Sequence, residues 1–355
     1  MSRTNASLKN RLKAFRQAQG WSQGELASRA GISRTEVSAI EIERLVPSVA
    51  AALSLATALG CRVEDLFGLA ETVSPAPAWA WPPASEPNRF WQAEVRGRML
   101  CYPVEATGIG AAGHDGICRN GKFRSRARHS PEQTLVMASC DPAAALLSAE
   151  LERLSDFRLI VLPRASGDAL RLLGVGLVHL AGVHLSSGRG SGNAQSVQKQ
   201  LGSGYSLLHV AQWEAGLAVS PQTDVKSVKG ALGAKLRWVG REPGSGARQC
   251  LDELLEGRPA PRRIARDHRG VAEAVRDGWA DVGVCLRLTA EEAGLKFLGV
   301  RDETYDICFA TEFGRDPRMR ALLEVVRSTA YRRMLGELPG YSASHTGEVE
   351  AIGGA

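Results

Sequence analysis

No apolar stretch in the 355 residues approaches the roughly 18 positions that a membrane-spanning helix needs. Met1 to Asn10 is polar and lacks the apolar core of a secretory signal, so the chain is expected in the cytoplasm without a membrane partner. Seven cysteines, at 61, 101, 118, 140, 250, 285 and 308, stand far apart, with no CxxC pair and no Cys/His cluster along the chain. That spacing predicts neither a zinc site nor a disulfide framework, and no resident metal or cofactor is expected. No nucleophile–base pair is apparent either, so an enzyme is not expected. Internal repeats are absent. What is present is an ordinary core-forming composition: 44% hydrophobic and 23% charged residues exclude disorder as the main state. The net charge of +6 allows a polyanionic partner without requiring one.

Proline divides the chain. Residues 71–88, ETVSPAPAWAWPPASEPN, hold Pro75, Pro77, Pro82, Pro83 and Pro87, a density that resists helix and sheet and gives a semi-rigid spacer. It separates a domain of residues 1–70 from one of residues 89–355. In the first, Leu8, Leu12 and Phe15 recur at helical spacing. Ser22 with Glu25, and Ser33 with Glu36, have the form of capping boxes, so each serine is expected to start a helix. Ala30, Gly31 and Ile32 form the tight turn between them. Pro47-Ser48 opens a fourth helix that Gly60 ends after Leu59, and a short fifth covers Val63 to Phe67.

Helix, glycine turn, helix is the pattern of the DNA-binding helix-turn-helix. Leu26 and Ala27 point inward, Gly31 turns the chain, and Ile32, Val37 and Ile40 close the core. The stretch WSQGELASRAGISRTEVSAIE resembles the lambda-repressor-like, or XRE, family of regulators, over about Leu8 to Phe67. The resemblance implies an all-α five-helix domain whose third helix, about Ser33 to Glu41, enters the major groove. Arg34, Thr35, Glu36 and Ser38, with Ser33, are then the candidates for base-edge contact, and Arg34 suits guanine because its planar fork matches two acceptors. Gln23 matches the family's phosphate-contacting position, and Arg44 is a second phosphate candidate. Gly24 inside helix two, and Glu43 where many relatives place a turn residue, depart from the pattern. Nine basic and six acidic side chains leave residues 1–70 with a net charge of only +3, so charge alone does not identify a DNA-binding domain.

The second part alternates strands and helices, which predicts mostly parallel sheets covered by helices. Strands are expected at 134–139, 157–163, 178–185, 207–219, 235–239, 281–286 and 296–310. Helices are expected at 142–154, 168–173, 194–201, 225–232, 247–255, 270–278 and 317–335. Extra strands are expected at 90–104 and 117–125, the latter a hairpin around Asn120-Gly121. The two long runs near 207–219 and 296–310 suit a bilobal protein whose chain crosses between lobes twice. The second lobe then spans about 220–300, with a ligand in the cleft at strand ends and helix starts.

The pieces ASCDPAAALL, VLPRASGDALRLL, HLAGVHL, QWEAGLAV, REPGSGAR and ELPGYSASHTGEV resemble the substrate-binding-protein-like domain, molybdate-binding-protein-like, that is fused to regulators. That resemblance implies a class II periplasmic-binding-protein-like α/β bilobal fold and an intracellular sensor. The candidate ligand residues are Ser139, Cys140, Asp141, Ser166, Gly167, Ser245 and Gly246 at strand-to-helix junctions, where backbone N–H groups and hydroxyls receive an anion. His184, Arg241, His268 and Tyr305 join them at strand ends or helix starts. Each serine has an alternative use as a helix cap, and the plainer reading of Cys140 is a buried inert thiol. His179, between apolar neighbours, reads as a satisfied strand residue. The expected function is a ligand-responsive regulator that binds a partly palindromic double-stranded DNA operator as a homodimer. Its effector is expected to be a small anion, a molybdate- or tungstate-like oxyanion, with a small organic acid or sulfur metabolite as the alternative. Outside that class stand a cytoplasmic oxyanion-storage protein and an enzyme on the bilobal scaffold.

Five further signals carry plainer readings. Gly108 to Gly113 spells GxGxxG but lacks a following apolar helix, and Gly116 to Lys122 imitates a phosphate loop with Phe123 where Ser or Thr is needed. The Ser186–Gly192 run reads as a loop. Arg119, Lys122, Arg124, Arg126 and Arg128, and again Arg262, Arg263, Arg266 and Arg269, read as solvated basic faces.

Overall fold

A computed structural model describes residues 8–69, 77–105, 112–185 and 192–353. The chain forms two compact units, Met1–Ala78 and Trp79–Ala355. Among the described residues no helix is long and apolar enough to cross a membrane. The GxGxxG stretch and the Ser186–Gly192 run lie almost wholly outside the described residues.

The first unit comprises β1 (Leu8–Asn10), α1 (Leu12–Ala18), α2 (Gln23–Ala30), α3 (Arg34–Glu41), α4 (Val49–Leu59), α5 (Val63–Leu66) and β2 (Phe67–Leu69). Leu12, Leu26, Val37, Ile40, Leu55 and Leu66 meet in one buried core. Ser22 and Glu25 form the full reciprocal capping box. Ser33 caps the Glu36 N–H without the return bond from the glutamate, so the second box is half built. Gly31 ends α2 at φ +67°, a left-handed conformation that costs a side-chain-bearing residue about 1–2 kcal/mol. Leu8 is not on a helix: β1 pairs antiparallel with β2, Leu8 opposite Leu69. A three-residue strand is too short to show an alternation, and so the apolar spacing from Leu8 to Leu12 and Phe15 imitated a helical period.

One ion pair ties the first three helices together. Arg16 reaches Glu41 through both Nε (2.6 Å) and Nη2 (3.0 Å) and donates from Nη1 to the Trp21 carbonyl. Burial pushes the Glu41 carboxyl up, but the Arg16 fork and the Gln23 amide more than reverse this, leaving its pKa below the usual value of 4.5.

The second unit begins earlier than the proline count suggests. β3 (Ala78–Trp79) joins β4 (Asn88–Val95), β5 (Arg98–Pro103), β6 (Gly116–Arg119) and β7 (Lys122–Ser125) in a five-stranded sheet ordered β3-β5-β4-β6-β7. Trp79 packs against Phe90 and Phe123, and Trp81 against Tyr102. Aromatic burial therefore docks the tryptophan end of the stretch expected to be a spacer. The hairpin at Asn120-Gly121 forms, with both residues at positive φ.

The large sheet follows, with its helices: β8 (Thr134–Ser139), α6 (Ala144–Leu154), β9 (Arg158–Pro163), α7 (Ser166–Gly174), β10 (Leu180–Val183), α8 (Gly192–Leu201), β11 (Tyr205–Val219), α9 (Val228–Gly233), β12 (Trp238–Arg241), α10 (Gly246–Leu255), β13 (Arg263–Ala265), α11 (His268–Arg276), β14 (Val282–Leu286), α12 (Arg287–Glu292), β15 (Lys296–Ala310), α13 (Pro317–Arg327), α14 (Thr329–Gly336), β16 (Tyr341–Ser342) and β17 (Val349–Ile352). Its order is β13-β12-β14-β11-β15-β10-β8-β9, with β16 and β17 on β11. β8, β9 and β10 are parallel and form one lobe; β12, β13 and β14 are parallel and form the other. β11 and β15 are antiparallel and pair along their whole lengths through both lobes. The helix expected over 317–335 is two helices, because Ser328 breaks the first and caps the second. The short β13 and α12 had no periodic signal to reveal them.

Glu41→Gln is expected to lower the stability of the first unit by about 1.5–3 kcal/mol, the scale of hydrogen bonds to charged groups. Because the folded Glu41 pKa is depressed, its contribution is present above the ordinary carboxylate range and lost as pH falls through the folded value. Hydrogen exchange of α1 to α3 in the full chain, wild type against variant at neutral pH and near pH 3, measures both effects. Equal protection at neutral pH would remove Glu41 from this role.

Candidate functional site

The site is built where β11 and β15 cross between the lobes. Trp213, from β11, stacks on Tyr305, from β15, with ring centroids 4.8 Å apart. Next to them Glu303 is buried, yet it accepts from Arg301 Nε at 2.9 Å and from Trp213 Nε1 at 3.3 Å. Burial raises the Glu303 pKa, but His184 and Arg301 outweigh it and keep the group below the usual range.

The first lobe brings Ser139, Cys140 and Asp141 off the end of β8, Ser166 and Gly167 at the start of α7, and His184 off the end of β10. Cys140 Sγ lies 2.9 Å from His184 Nε2, and His184 Nδ1 lies 3.2 Å from Glu303 Oε2. Burial alone would lower the His184 pKa, but Cys140 and Glu303 push it up to about 10. The sequence expectation that there is no nucleophile–base pair is thus overturned. Cys140, His184 and Glu303 stand in the order of nucleophile, base and orienting carboxylate. Cys140 is also not an isolated inert thiol.

The second lobe brings Arg241 off the end of β12, Ser245 and Gly246 at the start of α10, and His268 at the start of α11. Arg241 is 1% exposed; its Nε and Nη2 grip Glu242 at 2.9 Å each, and its Nη1 has no partner among the described residues. His268 is equally buried, and neither ring nitrogen has a hydrogen-bond partner among the described residues. Burial, with the nearby Arg241 and His184 charges, holds its pKa well below the ordinary value, so the ring is neutral. Ligand atoms of Cys140, His184 and His268 all lie within 4.8 Å of one another. The expectation of no Cys/His cluster, read from spacing along the chain, does not survive folding.

The eleven expected residues lie around this junction of the lobes, four of them (Ser139, Cys140, Asp141 and His268) lining its cavity, and their roles divide. The serines are engaged within the protein. Ser139 Oγ bonds the Tyr305 hydroxyl at 2.7 Å and accepts from the Asp141 N–H. Ser166 Oγ accepts from the His184 N–H, and Ser245 Oγ caps the Arg248 N–H while donating to the Glu242 carbonyl. Asp141 accepts from Ala143 N–H and the Tyr341 hydroxyl, and burial raises its pKa to about 6. Sequence reasoning missed Trp213, Arg301, Glu303 and Tyr341; Glu303 stands between Asp302 and Asp306 in a charged stretch of β15, so nothing local set it apart.

The lobes touch. Gly167 N–H donates across the cleft to the Gly244 carbonyl at 3.2 Å. A Cβ on Gly246 would sit 2.1 Å from the His184 carbonyl oxygen, so only glycine admits this approach. Beside the contact a cavity of about 780 Å³ opens, lined among others by Cys140, Asp141, Pro142, His268 and Arg269.

In the first unit α3 presents Arg34 and Thr35 to solvent, with Glu36 and Ser38 half-buried. Arg34 and Arg44 are exposed, and neither side chain has a bonded partner among the described residues. Ser33 is the helix cap, 3.0 Å from Thr35 Oγ1. Gln23 donates to Glu41 at 2.9 Å, so its amide braces α2 against α3. Glu43 adopts φ +60° after α3, filling the turn position itself.

The PBP superfamily domain profile matches residues 148–327, and a helix-turn-helix profile matches residues 12–66. The uncharacterised Bacillus subtilis protein YvgK is 33% identical over 170 residues, 45% of this chain and 54% of YvgK, so the chain spans about half of that relative. The uncharacterised HTH-type transcriptional regulator YgzD of Bacillus subtilis is 39% identical over 64 residues, 18% of this chain and 97% of YgzD. A tungstate ABC transporter structure from Geobacter sulfurreducens aligns at TM-score 0.43 and 14% identity, covering 57% of this chain and 98% of that one. At that distance it has no bearing on the ligand.

Gly246→Ala is expected to force the lobes apart, because the three nearest atoms to the new methyl all belong to His184, one of them backbone. The strain of overpacking is about 1–3 kcal/mol. Small-angle scattering should report a larger radius of gyration, and hydrogen exchange should report loss of protection at Gly167. An unchanged profile in both would show that the contact is not a closure contact.

Proposed function

The chain belongs to the PBP superfamily and carries an XRE-family helix-turn-helix domain at its N-terminus, and from that premise we propose that it is a cytoplasmic transcriptional regulator whose DNA binding responds to a small anion in the interlobe cleft. The observation that carries the anion is Arg241: a buried guanidinium with one free Nη1 is a donor held ready for negative charge. An oxyanion of the molybdate and tungstate type suits that donor, as does a small carboxylate or sulfur-containing acid. The serines contribute by fixing the walls rather than by contacting the ligand.

A ligand acts as an effector when it binds one conformation better than the other. The cleft supplies that inequality, since its groups come from two lobes and meet only when the lobes close. On the DNA side Arg34 and Thr35 are the exposed side chains of α3, with Arg44 available to phosphate. A single helix-turn-helix reads one half-site, so a homodimer is part of the proposal. The exposed Ile42, Leu45, Val46, Val49 and Leu53 on the first unit support an apolar dimer contact.

A second reading rests on the Cys140–His184–Glu303 order, which suits covalent chemistry on a bound electrophile. Turnover, or a stable adduct on Cys140 seen by mass spectrometry, would favour it.

The test is selection of duplexes from a random pool by the full chain, followed by anisotropy titrations with and without molybdate, tungstate, sulfate, phosphate and small organic acids. A ligand at 100 times its Kd should stabilise the protein by about 2.7 kcal/mol. Arg34→Ala should weaken the selected site by about 1–3 kcal/mol and relax the preference at one base pair. No enrichment of any sequence would sink the regulator, and enrichment insensitive to every anion would sink the effector class.

A further inference from the structure

We propose that Cys140, His184 and His268 form a metal site that clamps the two lobes together, taking a thiophilic late first-row ion, Zn²⁺ or copper. The inference rests on the reading of the cleft as the sensing site and assigns the chemistry that closes it.

Three observations converge. The ligand atoms, one thiol and two imidazoles, lie within 4.8 Å of one another in a buried setting. Thiolate with imidazole is the donor set of zinc and copper rather than of magnesium or calcium. His184 is oriented as metal-bound histidines are: Nδ1 faces a carboxylate, Glu303, which is itself fixed by Arg301 and Trp213, and Nε2 faces the centre of the cluster. The His268 ring packs against Trp213 and His184, but among the described residues neither of its nitrogens has a hydrogen-bond partner. A neutral imidazole with two unpartnered nitrogens, wholly removed from water, costs free energy unless something binds it.

The distances state what binding must do. Sγ and Nε2 on one tetrahedral zinc stand about 3.5 Å apart, given bonds of roughly 2.3 and 2.0 Å. The observed 2.9 Å is a hydrogen bond. The ion therefore replaces the proton between Cys140 and His184, separates them by roughly 0.6 Å, and draws in His268 from the other lobe. Three protein ligands leave a fourth position. Arg241, close enough for its charge to act on both Cys140 and His268, supplies the countercharge for an anion there. Metal and anion would thus occupy one composite site.

The experiment uses the full chain, stripped with chelator and reloaded with Zn²⁺, with Cu⁺ under reductant, or with Co²⁺ as a spectroscopic probe. After desalting, elemental analysis should find one ion per chain, and Co²⁺ should show the absorption of tetrahedral thiolate coordination. Cys140→Ser and His268→Gln should each weaken retention at least tenfold. Arg34→Ala, outside the cleft, should retain the ion. Should a variant misfold, Glu303→Gln offers a milder probe, since it keeps the side chain's shape while weakening its hold on His184 and Arg301, and it should weaken retention more than fivefold. No retained ion in the wild type, or equal retention in all the cleft variants, would overturn the site. Loss of the metal result with an anion-dependent thermal shift intact would leave the sensing cleft standing without the metal. Metal retention in a chain that enriches no DNA would remove the regulator and leave the site.

Discussion

Everything in the second unit depends on two fifteen-residue strands that pair along their whole lengths, β11 and β15. β10 holds one end of β15, and β14 holds one end of β11, so each lobe is anchored to a different strand of the same ladder. Relative motion of the lobes must therefore bend this ladder rather than break it. Its irregularities fall between His209 and Ala211 and between Ala215 and Gly216, on either side of Trp213. Bulges bend strands and increase local twist. The crossing that carries Trp213, Glu303 and Tyr305 is thus flanked by the points at which the ladder is most able to flex.

That placement explains why the chemistry sits where it does. A buried carboxylate costs several kcal/mol unless it is paired and hydrogen-bonded. Glu303 meets the requirement through Arg301, Trp213 and His184 together, and each comes from an element that the crossing already fixes. Ser139 and Tyr305 do the same for the end of β8, and Gly182 is glycine because a Cβ there would fall 2.5 Å from Ser139 Oγ and 2.6 Å from the Tyr305 oxygen. The polar network fixes the position of Cys140 and His184 before any ligand arrives.

Much of this architecture was legible in the chain itself. Ser22, Ser48 and Gly60 are local signals, and each does locally what its chemistry dictates. β8 is readable as a short apolar run with clear ends, and β15 through the apolar stretches 297–300 and 307–310 on either side of its charged middle. The β1 strand was not, since Leu8 serves a pairing partner sixty residues away, and no local periodicity encodes that. The cleft was legible as a place and illegible as chemistry. Strand-to-helix junctions pointed to seven of the residues, and Tyr305 lies inside β15 rather than at the strand end expected for it, but a junction serine serves equally as cap or ligand donor, and only the folded hydrogen bonds decide. Cys140, His184 and His268 lie 44 and 84 residues apart, so no spacing rule could collect them. The barrier is topological: parallel strands bring distant ends together in an order that local sequence does not state.

In the closed arrangement the direct links between lobes include a backbone hydrogen bond, Gly167 to Gly244, and the packing of Gly246 on His184. A backbone hydrogen bond contributes a net of about 0.5–1.5 kcal/mol. Against it stand Arg241 Nη1 and both nitrogens of His268, buried without partners, and each such group costs about 1–3 kcal/mol. The unpartnered groups outweigh the hydrogen bond, so closure without a ligand is disfavoured on polar grounds. An occupant that satisfies Arg241 and His268 removes those costs only in the closed form. It therefore binds the two conformations unequally, which is the condition that any effector must meet. The polar groups that look like defects of the closed cleft are what make its closure conditional.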